Sequence, residues 1–198
     1  MTGPRLIRAA DARRMPWKNG GGETIELLAH PAGAGLDAFD WRVSMATVAT
    51  DGPFSIFPGV DRTLTVLDGD GLDLFISVDE AVRLTADSAP LGFPADAPCR
   101  GRLLGGPVTD LNVMTRRARF SHKVTRLRVD GPQRIAAPGA TIIAVCLEGE
   151  IAVGEQGEIV LDRRDIAVPT GGEALNFTPT GTVAVALIIV IAGTGDGS

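Results

Sequence analysis

Arg62-Thr63-Leu64-Thr65-Val66-Leu67-Asp68-Gly69-Asp70-Gly71-Leu72-Asp73-Leu74-Phe75-Ile76 reads as a strand, a tight turn and a second strand. Apolar residues alternate with polar ones on the way in, and the two Asp-Gly steps supply the backbone freedom that a short hairpin turn demands. The same order returns in Ile142-Ile143-Ala144-Val145-Cys146-Leu147-Glu148-Gly149-Glu150-Ile151-Ala152-Val153. Val66-Leu67-Asp68-Gly69 and Cys146-Leu147-Glu148-Gly149 occupy matching places, which predicts an all-β chain built from two similar halves.

Outward from these hairpins, the remaining segments are short and bounded by turn formers. Thr24-Ile25-Glu26-Leu27-Leu28, Trp41 to Val48, and Asp110 to Thr115 alternate as strands do. Gly52-Pro53-Phe54-Ser55-Ile56-Phe57-Pro58-Gly59 brackets its apolar residues with proline, which suits an edge strand or an approach loop. The apolar run Val183 to Ala192 reads as a buried strand closing the second half, and Ala9 to Arg14 as the one short helix. Gly131-Pro132 and Pro138-Gly139 punctuate the region between the halves, taken as residues 1–120 and 121–198.

Composition narrows the function classes. With 44% hydrophobic residues the chain buries a sizeable core, and 25 Gly and 13 Pro spread along it favour many strands and turns over long helices. Net charge is -5, without the clustered basic excess of a nucleic-acid surface. Arg116, Arg117, Arg119, Lys123, Arg126 and Arg128 form one basic stretch, read as a solvated strand face. The run Val183 to Ala192 is far short of the roughly 20 residues a membrane helix needs, and no secretory signal opens the chain. A cytoplasmic protein is expected, with Cys99 and Cys146 both reduced.

Catalytic constellations are scarce. His30 and His122 are the only histidines, and neither stands at metal-ligand spacing from another histidine, cysteine or carboxylate, so no metal and no cofactor are expected. Ser44 and Ser121 lie in strand-like runs without a nucleophile-elbow pattern. Asn19-Gly20-Gly21-Gly22 lacks the lysine and hydroxyl ending of a nucleotide loop. Met15 to Thr24 is nonetheless dense in large, polar and glycine residues. It reads either as an anchored loop plugged by Trp17 or as a carboxylate pocket, with Lys18 the charge, Asn19 the orienting amide and Trp17 the wall. Arg42, Arg62 and Arg116 sit in or beside strands with buried neighbours. A buried arginine needs an anion, supplied either by the protein (Asp61, Asp110, Glu26) or by a ligand.

The run Ile159 to Gly172, strand, acidic turn, strand and Pro-x-Gly turn, resembles the cupin barrel pattern, without the histidine set that cupins use for metal. Met15-Pro16-Trp17-Lys18-Asn19-Gly20-Gly21-Gly22, Trp41-Arg42-Val43-Ser44-Met45-Ala46, Asp51-Gly52-Pro53-Phe54-Ser55, Phe57-Pro58-Gly59-Val60-Asp61-Arg62 and Thr109-Asp110-Leu111-Asn112-Val113-Met114-Thr115-Arg116 resemble the HutD/Ves family. The resemblance is ordered from residue 15 to about 120. It implies a cupin-type double-stranded β-helix or barrel with two cupin-like halves, a bicupin. It also implies a metal-independent protein that binds a carboxylate metabolite of histidine utilisation, urocanate or formylglutamate-like, and moderates pathway expression. Carried onto this chain, the motifs place Trp17, Lys18, Asn19, Arg42, Arg62, Asn112 and Arg116 around the pocket. Two other readings stay open. One is a metal-independent isomerase or hydrolase of a small anion with Lys18, Glu23 or Glu26 as acid or base. The other is a homodimeric interaction module with a vestigial pocket.

Overall fold

In the computed structural model the described residues are 4–17, 20–77, 80–154, 157–169 and 174–195. Strands follow one another as β1 (Arg5–Ile7), β2 (Arg13–Pro16), β3 (Gly22–His30), β4 (Trp41–Val48), β5 (Gly52–Pro53), β6 (Val60–Asp68), β7 (Leu72–Ile76), β8 (Ala81–Leu84), β9 (Leu91–Pro94), β10 (Cys99–Leu103) and β11 (Val108–Arg116). They continue as β12 (Phe120–Val129), β13 (Gln133–Ala136), β14 (Ala140–Glu148), β15 (Ile151–Val153), β16 (Ile159–Leu161), β17 (Ile166–Val168), β18 (Ala174–Pro179) and β19 (Ala184–Gly193). The short helix expected over Ala9 to Arg14 is a 3-10 turn, Ala9–Asp11, that stops where Ala12 becomes extended. Arg13 and Arg14 are drawn instead into β2 by pairing with Glu26 and Ile25 of β3.

The chain divides into two units: residues 13–121 with 194–198, and residues 1–12 with 122–193. The leading segment departs from the sequence expectation, since β1 pairs antiparallel with β17 and so joins the sheet of the later residues. Each unit has two sheets. In the first, a six-stranded sheet ordered β2-β3-β4-β11-β6-β9 and a four-stranded sheet ordered β5-β10-β7-β8 share a core. Leu64, Val66, Phe93 and Val108 face it from one sheet and Leu72, Leu74, Leu84 and Cys99 from the other. The Pro53 segment lies at an edge, where a missing N–H costs no ladder bond.

The second unit repeats the plan with β1-β17-β14-β19-β12 and β13-β18-β15-β16. Its core is continuous and apolar, formed by Ile142, Ala144, Cys146, Ile151, Val153, Leu161, Phe177, Ala186 and Ile188 among others. The two hairpin turns correspond in detail. Gly69 (φ 94°) and Gly149 (φ 70°) both take left-handed backbone. A Cβ on Gly69 would lie 2.5 Å from the Pro107 carbonyl oxygen, and one on Gly149 2.8 Å from that of Val183. Only glycine satisfies both conditions.

Strand register extends the match into the core. Asp110 lies opposite Val66, Asn112 opposite Leu64 and Met114 opposite Arg62. In the second unit Ala186 lies opposite Cys146, Ile188 opposite Ala144 and Val190 opposite Ile142. Both ladders slip at the same place, just beyond Val66 and Cys146. Arg62, Asp110 and Asn112 of the first unit therefore stand where the second has Ile142, Ala186 and Ile188. No helix among the described residues is long and apolar enough to cross a membrane.

Candidate functional site

Two of these three polar residues, Arg62 and Asn112, line a cavity in the first unit. Met15, Pro16 and Trp17, with Thr24, Arg42, Ser44, Arg62, Asn112 and Met114, line this cavity of about 510 Å³, and Leu36, Phe54 and Phe57 complete its wall. Strand alternation explains the lining: Arg42, Ser44 and Ala46 of β4 project on one face, and Asn112 and Met114 of β11 pair beside them. Trp17 is set by the turn before β3. Its indole N–H donates to Thr24 Oγ1 at 2.8 Å, and its backbone N–H to the Gly22 carbonyl at 2.9 Å. Gly22 is required here for room, because a Cβ would come within 2.1 Å of the Thr47 carbonyl oxygen and 3.2 Å of the Trp17 ring. That glycine serves backbone packing; a ligand-approach role is not needed to explain it.

The two buried arginines differ. Arg42 is satisfied by the protein: Nε donates to Glu26 Oε2 at 2.9 Å and Nη1 to Ser44 Oγ at 3.1 Å. Arg62 is only 8% exposed, and its Nε has no hydrogen-bond partner among the described residues. Its guanidinium carbon sits 5.2 Å from the Phe54 ring centre and 6.0 Å from that of Phe57, a cation-π setting, and Asp110 acts on it through its field rather than through a hydrogen bond. Burial pulls the Arg62 pKa down, and the field of Asp110 partly restores it. The guanidinium keeps its charge at any physiological pH.

Asp110 is wholly buried. Burial pushes its carboxyl up to about 7, while Arg62 and the Asn112 amide pull the other way. Asn112 Nδ2 stands 2.5 Å from Asp110 Oδ1. Asp110 Oδ2 and Asn112 Oδ1 are left buried with no partner among the described residues.

Of the residues picked from the sequence, Trp17, Arg42, Arg62 and Asn112 meet at this cavity. Lys18 and Asn19 lie outside the described residues. Arg116 is not part of the cavity lining. Its Nε and Nη2 donate to the carbonyls of Phe39 at 2.8 Å and Asp37 at 2.6 Å, so it fastens the loop before β4. Asp61, offered as an arginine partner, pairs with Arg117 instead. Leu36 was invisible to periodicity because it stands in a loop, and Asp110 was read only as a generic ion-pair partner.

No cysteine or histidine is among the described residues that line this cavity. Cys99 and Cys146 are buried free thiols, pushed by burial to about 11 and about 12. His30 stacks on Trp41, ring centres 5.6 Å apart. No group of three metal-ligating side chains occurs among the described residues.

The chain matches the family model HutD over residues 9–187. It is 35% identical over 156 residues to an uncharacterized 21.2 kDa protein in the hutC 3' region of Pseudomonas putida, covering 79% of this chain and 80% of that one. The protein Ves of Citrobacter koseri is 41% identical over 118 residues, 58% of this chain and 60% of that one. Among solved structures, the conserved protein PA5104 of Pseudomonas aeruginosa PAO1 superposes with TM-score 0.87 at 30% identity, covering 96% of this chain and all (100%) of that one. HutD of Pseudomonas fluorescens SBW25, in a formate condition, does so with TM-score 0.82 at 32% identity, covering 97% of this chain and 100% of that one. A cupin 2 conserved barrel protein of Leptotrichia buccalis, at TM-score 0.62 and 10% identity over 96% of this chain and 98% of that one, shows the cupin fold alone.

Proposed function

The chain belongs to the HutD family, and on that premise we propose that the cavity of its first unit binds a small carboxylate metabolite of histidine utilisation, urocanate or a formylglutamate-like acid. Binding moderates pathway expression by holding back part of that metabolite or by biasing an association. The observation that carries the reading is Arg62, a buried guanidinium in the cavity wall with an unpartnered Nε. A buried donor on a charged group is costly to leave unmet. A carboxylate oxygen meets it with a charge-assisted bond. Trp17, Phe54 and Phe57 then cover the apolar part of the ligand, and the volume lies within the roughly 300–1,000 Å³ of small-molecule sites. Such binding needs no proton-transfer constellation and no metal.

The test is a thermal-shift and calorimetric series of the protein against urocanate, formylglutamate, glutamate, formate and histidine, repeated with Arg62→Leu and Lys18→Ala. A ligand of the native state raises Tm with concentration. At least one acid is expected to do so, and Arg62→Leu to weaken it roughly tenfold to a hundredfold, the worth of one charged hydrogen bond. No shift with any of the acids would refute the reading.

A further inference from the structure

The pair Asp110 and Asn112 is not explained by anion binding at Arg62 alone. Asn112 lines the cavity, while Asp110 lies behind it with no exposed surface. Both are left with a buried oxygen that nothing satisfies. Exchanging the two ends of the Asn112 amide, which are nearly equal in shape, suits an Asp110 that carries a proton, and leaves a donor unmet where an acceptor was. Asp110 O–H would then donate to Asn112 Oδ1, and the separation of 2.5 Å is at home for O–H···O but short for N–H···O. The exchange puts Nδ2 where Oδ1 stood, on a residue that lines the cavity, and so offers a ligand a donor in place of an acceptor.

We infer that a carboxylate entering this cavity brings with it one proton, taken up from solvent on Asp110, with the Asn112 amide turning over between the two. The inference rests on the anion-binding reading of the same cavity. Ionised Asp110 must accept from Asn112 Nδ2, and it competes with the ligand for the charge of Arg62. Protonated Asp110 frees both. Asp110 is thus a positioning residue acting through Asn112 and Arg62, and the only bond formed within the protein is its own O–H.

The charged and titratable groups around this corner are few. Arg62 on β6 acts directly on the carboxyl. Arg42 on β4 is balanced by Glu26 on β3. Cys99 on β10 feels Arg62 but stays a neutral thiol, held at about 11 by burial. With Asp110 near 7, the exchange falls within the physiological range.

Formate, ionised throughout this range, is the probe. Its affinity for the full chain is expected to fall about tenfold between pH 6 and pH 8, as one-proton linkage centred near 7 requires. In Asp110→Asn, a shape-matched mimic of the protonated acid, affinity should match the low-pH value and stay flat. Titration calorimetry of the unmodified protein at pH 8, in two buffers of different ionisation heat, should report close to one proton taken up per formate, and this decides the matter even where the variant fails to fold. Formate binding that is equal at both pH values, with no buffer-dependent heat, would overturn the inference while leaving the cavity reading intact. A pH dependence that survives in Asp110→Asn would likewise overturn it. Absence of formate binding at both pH values would overturn the inference, and the cavity reading would fall with it if none of the other acids binds either.

Discussion

The two units lay the same hairpin, the same bulge and the same central pair of strands around their cores, yet fill three matching positions with opposite chemistry. The first places Arg62, Asp110 and Asn112 inside; the second places Ile142, Ala186 and Ile188. Buried polar and charged side chains cluster accordingly. Arg42, Ser44, Arg62, Thr65, Asp110 and Asn112 are all in the first unit, whereas Asp165 is the single one among the described residues of the second. Asp165 is fully used, pairing with Arg8 and accepting from the Asp162 N–H at 3.1 Å. The second unit thus keeps an apolar core, and the first buries a charged and polar cluster beside its cavity, polarity of the kind that marks a site.

The sharpest way to break this contrast is to move the charge. Ile142→Arg puts a guanidinium into the apolar core of the second unit, with alanine rather than a carboxylate at the matching position Ala186, and is expected to cost roughly 3 to 5 kcal/mol or to prevent folding. Denaturant midpoints measure it, and a near-neutral result would mean that the second core is looser than its packing indicates.

Stability against pH gives the next effect. Asp110 binds a proton more tightly folded than unfolded, so between about pH 4 and 7 the native state holds more protons and stability falls as pH rises. The loss is of the order of 2 to 4 kcal/mol, complete only about a unit above the folded pKa of about 7, and absent in Asp110→Asn. Asp73 works in the other sense. Hydrogen bonds from Arg83 and Arg102 hold its carboxyl down to about 2, so its contribution is present above pH 4 and disappears below it, a separate window.

Arg62→Leu is expected to change stability by no more than about 2 kcal/mol, since relief from burying a guanidinium that lacks a partner at Nε is offset by the loss of its field at Asp110. It should lose anion binding at the same time. Destabilisation by several kcal/mol would instead mark Arg62 as structural. The smallest effect is that of Trp17→Phe, which keeps the cavity wall but removes the bond to Thr24, worth about 1 kcal/mol in thermal unfolding.

The sequence made the paired hairpins legible because turn chemistry is local: an acidic residue followed by glycine at 68–69 and 148–149 demands the same backbone in both places. It could not place β1, whose partner β17 is some 160 residues away, because strand pairing leaves no local signal. Strand context picked out Arg42 and Arg62 and the family resemblance Asn112, and the three line one cavity. The same rule misled at Arg116, which is in phase with Asn112 and Met114 but stands at the end of β11, where its guanidinium turns to the carbonyls of residues 37 and 39. The titration of Asp110 was not legible at all, because it depends on complete burial, and burial is a property of the fold.

The most direct measurement is an NMR titration observing arginine Nε–H groups of the labelled protein with formate, the Arg62 resonance being assigned through Arg62→Lys. The account predicts that the Arg62 signal moves progressively as formate is added while that of Arg42, already held by Glu26, changes little. A titration in which Arg62 stays still at saturating formate would contradict it.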